Sequence, residues 1–260
     1  MTTTRREFVK VIGGAAATAT AGIASPMNLR AQAPRPTGIT TLAFDAYGTL
    51  FDVFSVTALC EEFFPGQGAP LAQLWRAKQL QYSTLRSLMG RHATFWQVTE
   101  DGLVYASKSL ELDLTVAKRQ QLMDAYLTLT AYPDVRPGLL ALKQAGLRVA
   151  ILSNGEPKML HAAAESARID QILDDIISVE DIGVFKPKPE VYGLIQKHLP
   201  GEKSAIGFVS SNSWDIAGAG SAGLATFWIQ RTATEPQEEL GYPAAHIIHA
   251  VTDLPALVAG

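Results

Sequence analysis

LAFDAYGTLFDV, residues 42–53, decides how the rest of the chain is read. Three apolar residues (Leu42, Ala43, Phe44) lead to a single acid, Asp45, and Tyr47-Gly48-Thr49 then turns the chain. A short apolar run bounded by a glycine turn fits a strand buried on both faces, the kind that parallel sheets contain. A carboxylate at the tip of such a strand is costly to bury without partners. Its partners are therefore to be sought at the ends of the other strands.

Outward from residue 45, short β-branched runs alternate with amphipathic stretches. Strands are predicted at 41–44, 148–152, 176–178, 205–209, 225–229 and 246–249, with helices such as 138–145, 189–197 and 215–222 between them. This alternation predicts an α/β fold, a doubly wound parallel sheet with helices on both faces. Residues 53–130 break the rhythm. They carry only helical periodicity, as in LAQLWRAKQLQYSTLRSLMG (71–90), and predict a smaller helical cap inserted into a core of 38–52 and 131–260. Asp52 is expected to serve as a helix N-terminal acid.

The 260 residues carry a formal charge of −3, and no basic run accompanies aromatic residues, which argues against nucleic-acid binding. The first 33 residues look like an address. Thr4-Arg5-Arg6-Glu7-Phe8-Val9-Lys10 resembles the twin-arginine export motif, a small-residue apolar stretch follows, and Ala31-Gln32-Ala33 offers a processing site. That stretch is a poor membrane span. The expectation is a periplasmic protein without a membrane anchor after cleavage. Cys60 is the single cysteine, expected as a small core residue in a helix, and it excludes an internal disulfide. The five histidines show no metal-ligand spacing, and His246 and His249 are assigned to the last strand.

Ligands of an open parallel sheet bind outside the carboxyl ends of its strands. Four polar clusters fall there: Asp45 to Thr49, Ser153-Asn154-Gly155, Lys186 in GVFKPKPEVY, and SSNSWD from Ser210 to Asp215. This set resembles the haloacid dehalogenase superfamily over nearly all of the chain beyond residue 38. Most members of that superfamily are magnesium-dependent phosphotransferases with a second acid two places after the nucleophile. Here that position is Tyr47, whose phenol is a poor proton relay at neutral pH. A metal is needed when an anionic nucleophile approaches a dianionic phosphate. Its ligands being reduced implies a less charged reacting centre, so Asp45 is expected to attack carbon, with no metal and no cofactor.

DAYGTLFDV, WRAKQLQYSTLRSLMG, ILSNG, VFKPKPEVY and FVSSNSWD are similar to one branch, the L-2-haloacid dehalogenases. The resemblance implies hydrolysis of a 2-halocarboxylate to the 2-hydroxy acid and halide through an ester on Asp45, with inversion at C2. It implies catalytic roles for Asp45, Thr49, Arg76, Lys186, Ser210, Asn212 and Asp215. Substrate would be held by Tyr47, Arg76, Leu80, Phe95, Ser153, Asn154, Tyr192 and Trp214. Lys186 would keep Asp45 ionised, Ser153 would hold the substrate carboxylate, and Arg76 would meet the departing halide. Asn212 and Asp215 are both candidates for orienting Lys186 or the hydrolytic water. Two departures lie in the cap, Ala77 where glutamine is often found and Thr84 where tryptophan is often found, and they point to an altered substrate range. A homodimer is implied as well. Two other readings stay open from the residues, a phosphatase with drifted motifs and a non-catalytic carboxylate-binding protein.

Overall fold

The computed structural model describes residues 38–258, so the expected export segment lies outside the described residues. Six parallel strands form one sheet in the order β3-β2-β1-β4-β5-β6. They are β1 (Thr41–Phe44), β2 (Arg148–Ser153), β3 (Asp175–Ser178), β4 (Ile206–Ser210), β5 (Ala225–Ile229) and β6 (His246–Ile248). The two central strands, β1 and β4, are buried along their whole length. From β1 the chain builds the sheet outward to β2 and β3; from β4 it builds the other way. The seam between β1 and β4 is the switch point at which such sheets bind ligands. The Asp45 N–H donates to Val209 O at 2.9 Å, so pairing continues past the end of β1 and fixes the carboxylate beside the end of β4.

The helices of the sheet layer begin where the sequence allows. α6 (Pro157–Ser166) and α7 (Pro189–His198) each start on a proline, whose missing N–H has no intrahelical partner to lose. α5 (Val135–Gln144) and α8 (Ser213–Ser221) complete the layer, and α9 (Leu254–Val258) follows β6. Between β1 and α5 lie α1 (Thr57–Phe63), α2 (Gly68–Met89), α3 (Phe95–Ser109) and α4 (Val116–Ala125), with no strand among these residues. Asp52 does cap the short turn that opens this region, accepting the Phe54 N–H at 2.9 Å.

α2 carries the site-facing face of the cap. Leu71, Ala72, Trp75, Arg76, Gln79 and Ser83 are buried at three- and four-residue spacing, the stripe of a helix packed on one side. α3 approaches closely because Gly102 has no side chain: a Cβ there would sit 3.2 Å from Gln79 N and 3.3 Å from Trp75 O. The Trp75 indole then donates to Thr99 O at 2.7 Å. Three polar contacts tie the cap to the sheet layer. Arg76 Nη2 donates to Tyr47 O at 3.0 Å, the Phe185 N–H donates to Ser87 Oγ at 2.9 Å, and His92 Nε2 lies 3.0 Å from Glu180 Oε2.

Several expected boundaries are corrected by one to three residues. β2 runs on to Ser153 and β4 to Ser210, because both residues still pair across the sheet, with Ser178 and Trp228. Ala205 belongs to a 3₁₀ turn rather than to β4, and His249 lies just past β6, where its N–H donates to Asp253 Oδ2. α5 starts at Val135, not 138, since a proline in the first turn costs no hydrogen bond. α8 starts two residues early, with Asn212 at its N-cap position. Cys60 is a buried helical residue as expected.

Candidate active site

The loop after β1 is shaped around its glycine. Gly48 has φ +92°, and a Cβ there would lie 3.2 Å from Ser211 Oγ, so the turn passes against the end of β4 only without a side chain. Thr49 is thereby brought back toward Asp45. Its hydroxyl accepts the Ser211 N–H at 2.8 Å, which turns its one proton toward Asp45 Oδ2 at 3.0 Å. Asn212, two residues past the end of β4, donates its amide to the same oxygen at 2.9 Å and to Tyr47 O at 3.3 Å. Arg231 braces the turn from outside, donating to Thr49 O at 2.6 Å and pairing with Asp134 at 2.7 Å.

The other oxygen of Asp45 meets a cation. Lys186 Nζ donates to Asp45 Oδ1 at 3.0 Å and to Asp215 Oδ2 at 2.9 Å, with its side chain fully buried. Its main-chain N–H is held by Asn154 Oδ1 at 2.9 Å, just before a cis Lys186–Pro187 bond. The Tyr192 hydroxyl closes the chain on Asp215 Oδ1 at 2.7 Å. Burial works against the Lys186 ammonium, but the carboxylates of Asp215 and Asp45 outweigh it and raise its pKa above the ordinary lysine value. Burial also pushes the Asp215 carboxyl up to about 6, with Lys186 opposing the rise.

These contacts make the two Asp45 oxygens unequal. Among the described residues Oδ2 accepts two hydrogen bonds, from Thr49 and Asn212, whereas Oδ1 accepts only from Lys186. A carboxylate oxygen offers about two lone-pair directions. Oδ1 keeps one for bond formation, and Oδ2 already lies in a two-donor hole.

Above Asp45 is a small cleft whose wall includes Tyr47, Arg76, Leu80, Phe95, Ser153, Asn154, Asn212 and Trp214. The room left in it is about 10 Å³, at the lower edge of what one water needs. Arg76 is buried there. Its guanidinium donates to Tyr47 O and, at 2.7 Å, to Gln79 Oε1, and it makes no ion pair with an acid among the described residues. An unneutralised buried cation is a site for an anion. Ser153 is fully buried at the end of β2, and its Oγ accepts the Gly155 N–H at 3.1 Å, which leaves the hydroxyl proton to donate. The Tyr47 ring packs on Phe95 with centroids 5.2 Å apart. Its hydroxyl is buried without a partner, and burial drives its pKa far above the ordinary range, so it cannot relay protons.

The expected residues fall into three groups. Asp45, Thr49, Lys186, Asn212, Asp215 and Tyr192 form one hydrogen-bonded cluster, and Tyr47, Arg76, Leu80, Phe95, Ser153, Asn154 and Trp214 line the cleft. Ser210 stands apart. Its hydroxyl accepts the Asn212 N–H at 3.1 Å, and no bond joins it to Asp45 among the described residues. Of the two candidates for orienting Lys186 or the hydrolytic water, Asn212 touches Asp45 and Asp215 touches Lys186. Sequence reasoning missed Ser211, Gln79 and Arg231. Gln79 sits three residues after Arg76 on one helix face, a spacing that could have found it; no local signal marks Arg231.

Residues 39–223 match the family model described as haloacid dehalogenase-like hydrolase. The (S)-2-haloacid dehalogenase of Pseudomonas sp. strain YL is 47% identical over 76% of this chain and 85% of its own. The chain belongs to the L-2-haloacid dehalogenase branch of the haloacid dehalogenase-like hydrolases. Solved dehalogenases agree in three dimensions. The L-2-haloacid dehalogenase RSc1362 superposes with a TM-score of 0.83 at 41% identity, covering 86% of this chain and all of its own. The L-2-haloacid dehalogenase of Xanthobacter autotrophicus with chloropropionic acid covalently bound gives a TM-score of 0.80 at 38% identity, covering 85% of this chain and 99% of its own.

Proposed function

We propose that the protein hydrolyses (S)-2-haloacids to (R)-2-hydroxy acids and halide through an ester on Asp45. One observation carries the reading. Asp45, with a lone pair on Oδ1 that Lys186 does not take, lines a narrow cleft that also holds the unneutralised Arg76. In the first step Asp45 Oδ1 bonds to C2 as the C2–halogen bond breaks, and the bonding pair leaves with the halide. Arg76 receives the charge that grows on the leaving group. Ser153 and the N–H groups of its turn hold the substrate carboxylate and aim C2 at Oδ1.

In the second step water attacks Asp45 Cγ. The Cγ–O bond breaks, the hydroxy acid leaves with Oδ1 and one water proton, and the carboxylate is restored as a proton is released. The charge that develops on Oδ2 is met by Thr49 and Asn212, already 3.0 and 2.9 Å away. Lys186 balances Asp45 throughout and is positioned by Asp215 and Tyr192. Tyr47, Phe95 and Trp214 exclude bulk water from the nucleophile. Halide needs no protonation to leave, so the unpartnered, proton-holding Tyr47 is harmless where a phosphatase needs an acid.

The experiment is halide release from separate L- and D-2-chloropropionate, with a generic phosphate ester as control. Release from the L form only, lost in Asp45→Asn, is the expected result; turnover of the phosphate ester instead would return the protein to the phosphatase reading. Three further proposals follow from the sequence. Residues 53–130 act as a cap on a core of 38–52 and 131–260. The twin-arginine-like segment directs export to the periplasm, which fractionation of tagged full-length protein tests. A second copy of the chain covers Leu88 and Met89, which are 70% and 63% exposed at the end of α2, and sedimentation tests that dimer.

A further inference from the structure

A second cavity adjoins the catalytic cleft and is not used by the reaction as described. It measures about 300 Å³, the lower end of the range of small-molecule sites, against about 10 Å³ over Asp45. Its wall is Leu80, Gln81, Ser83, Thr84 and Leu85 of α2 together with Trp214 of α8. Leu80 and Trp214 are also wall residues of the cleft, so the two spaces share a partition of two side chains, both only partly buried.

The lining of this second wall is mostly apolar, and its two hydroxyls are already committed. Ser83 Oγ donates to Leu80 O at 2.9 Å, and Thr84 Oγ1 donates to the same carbonyl at 3.1 Å. Gln81 Oε1 accepts from Lys78 Nζ at 2.8 Å. Hydroxyls bonded back to their own helix have little left for a ligand. The cavity is therefore suited to an apolar occupant, and it lies on the Leu80–Trp214 side of the atom that reacts.

We propose that this cavity is the subsite for the alkyl chain of longer 2-haloacids, with Thr84 as the residue that keeps it open. The inference rests on the dehalogenase reading above. A 2-halocarboxylate has its carboxylate held at Ser153 and its halogen at Arg76, so any carbon beyond C3 must leave the cleft. The cleft has no room for it, and the partition of Leu80 and Trp214 is the boundary behind which apolar room exists. A chain passing between them exchanges water contact for Leu80, Leu85 and Trp214 surface. Thr84 is exposed and small, and a larger side chain at that position would fill the cavity without disturbing the packed face of α2.

The test compares kcat/KM for (S)-2-chloropropionate and (S)-2-chlorohexanoate in the wild type, Thr84→Trp and Thr84→Val. Each buried methylene is worth about fourfold in binding, so partial burial of the three added carbons predicts a loss on the order of tenfold or more for chlorohexanoate in Thr84→Trp. Chloropropionate turnover in the same variant is expected to stay within about twofold, which also shows that the variant is folded. Thr84→Val keeps the volume and should follow the wild type on both substrates. An equal fall on both substrates in Thr84→Trp, or no change on either, overturns the subsite. So does wild-type turnover of chloropropionate with none of chlorohexanoate. Failure of the wild type on chloropropionate would instead overturn the dehalogenase reading itself.

Discussion

Replacing Asn212 with alanine should turn the enzyme into a trap for its own intermediate. Asp45 Oδ2 has two donors, Thr49 at 3.0 Å and Asn212 at 2.9 Å, and the variant leaves one. In the first step the carboxylate loses charge to the departing halide, so a donor on Oδ2 favours the reactant at least as much as the transition state. Its removal leaves the attack about as fast as before. In the second step charge grows on Oδ2 as water adds to the ester. Removing one preorganised donor from such an oxyanion costs on the order of 10²–10³ in rate, or about 2.7–4 kcal/mol. Rapid mixing with excess (S)-2-chloropropionate should therefore release about one halide per site in a burst, followed by a slow tail. Mass spectrometry of quenched protein should find the mass of the substrate less hydrogen chloride on the peptide containing residues 42–53. A burst and tail slowed in the same proportion, with no adduct, would refute the division of labour between the two oxygens.

Lys186→Met should destabilise the fold by about 3–5 kcal/mol, because Asp45 and Asp215 are left facing each other in a buried space. Denaturant unfolding at neutral pH checks this. In the intact protein the Lys186 pKa is raised above 10.5, so its contribution to stability is fully present below that value and is lost only as pH climbs through the higher folded pKa. A stability profile with an alkaline loss assignable to Lys186 below pH 10.5, and absent in Lys186→Met, would contradict the paired arrangement. Excess EDTA should leave halide release unchanged, since the Lys186 ammonium already joins the two acids at 3.0 and 2.9 Å. Activity that returns only with added magnesium would show that a metal shares that role.

The sheet was legible because its strands are short apolar runs set between helical stretches, and β1 and β5 fall where the sequence places them. Strand ends were less so. Ser153 and Ser210 read as loop by their polarity, yet they pair with Ser178 and Trp228 across the sheet. Asp45, Lys186 and Asp215 were marked by the order of polar clusters after the strands, whereas Arg76 in the cap was reached only through the resemblance to the dehalogenases. What stayed hidden is support that comes from distant sequence. Ser211 was passed over for its neighbour Ser210, although it is the Ser211 N–H that turns the Thr49 proton toward Asp45. Arg231 reaches Thr49 O across 182 positions of chain, a contact brought about by the placing of β1 and β5 on the two sides of β4.

The near absence of free space over Asp45 has a kinetic consequence. With about 10 Å³ of room over Asp45, a 2-haloacid needs the cleft to widen, and Arg76–Tyr47, Ser87–Phe185 and His92–Glu180 are the polar links that hold α2 and the loop after it against the sheet layer. Widening of a seated cap is a mechanical interval of the kind that runs on microsecond to millisecond timescales. Where that interval is slower than bond breaking, chloride and bromide substrates reach a common maximal speed despite their different leaving abilities. Loosening a latch far from the reacting carbon, such as His92, then quickens both alike.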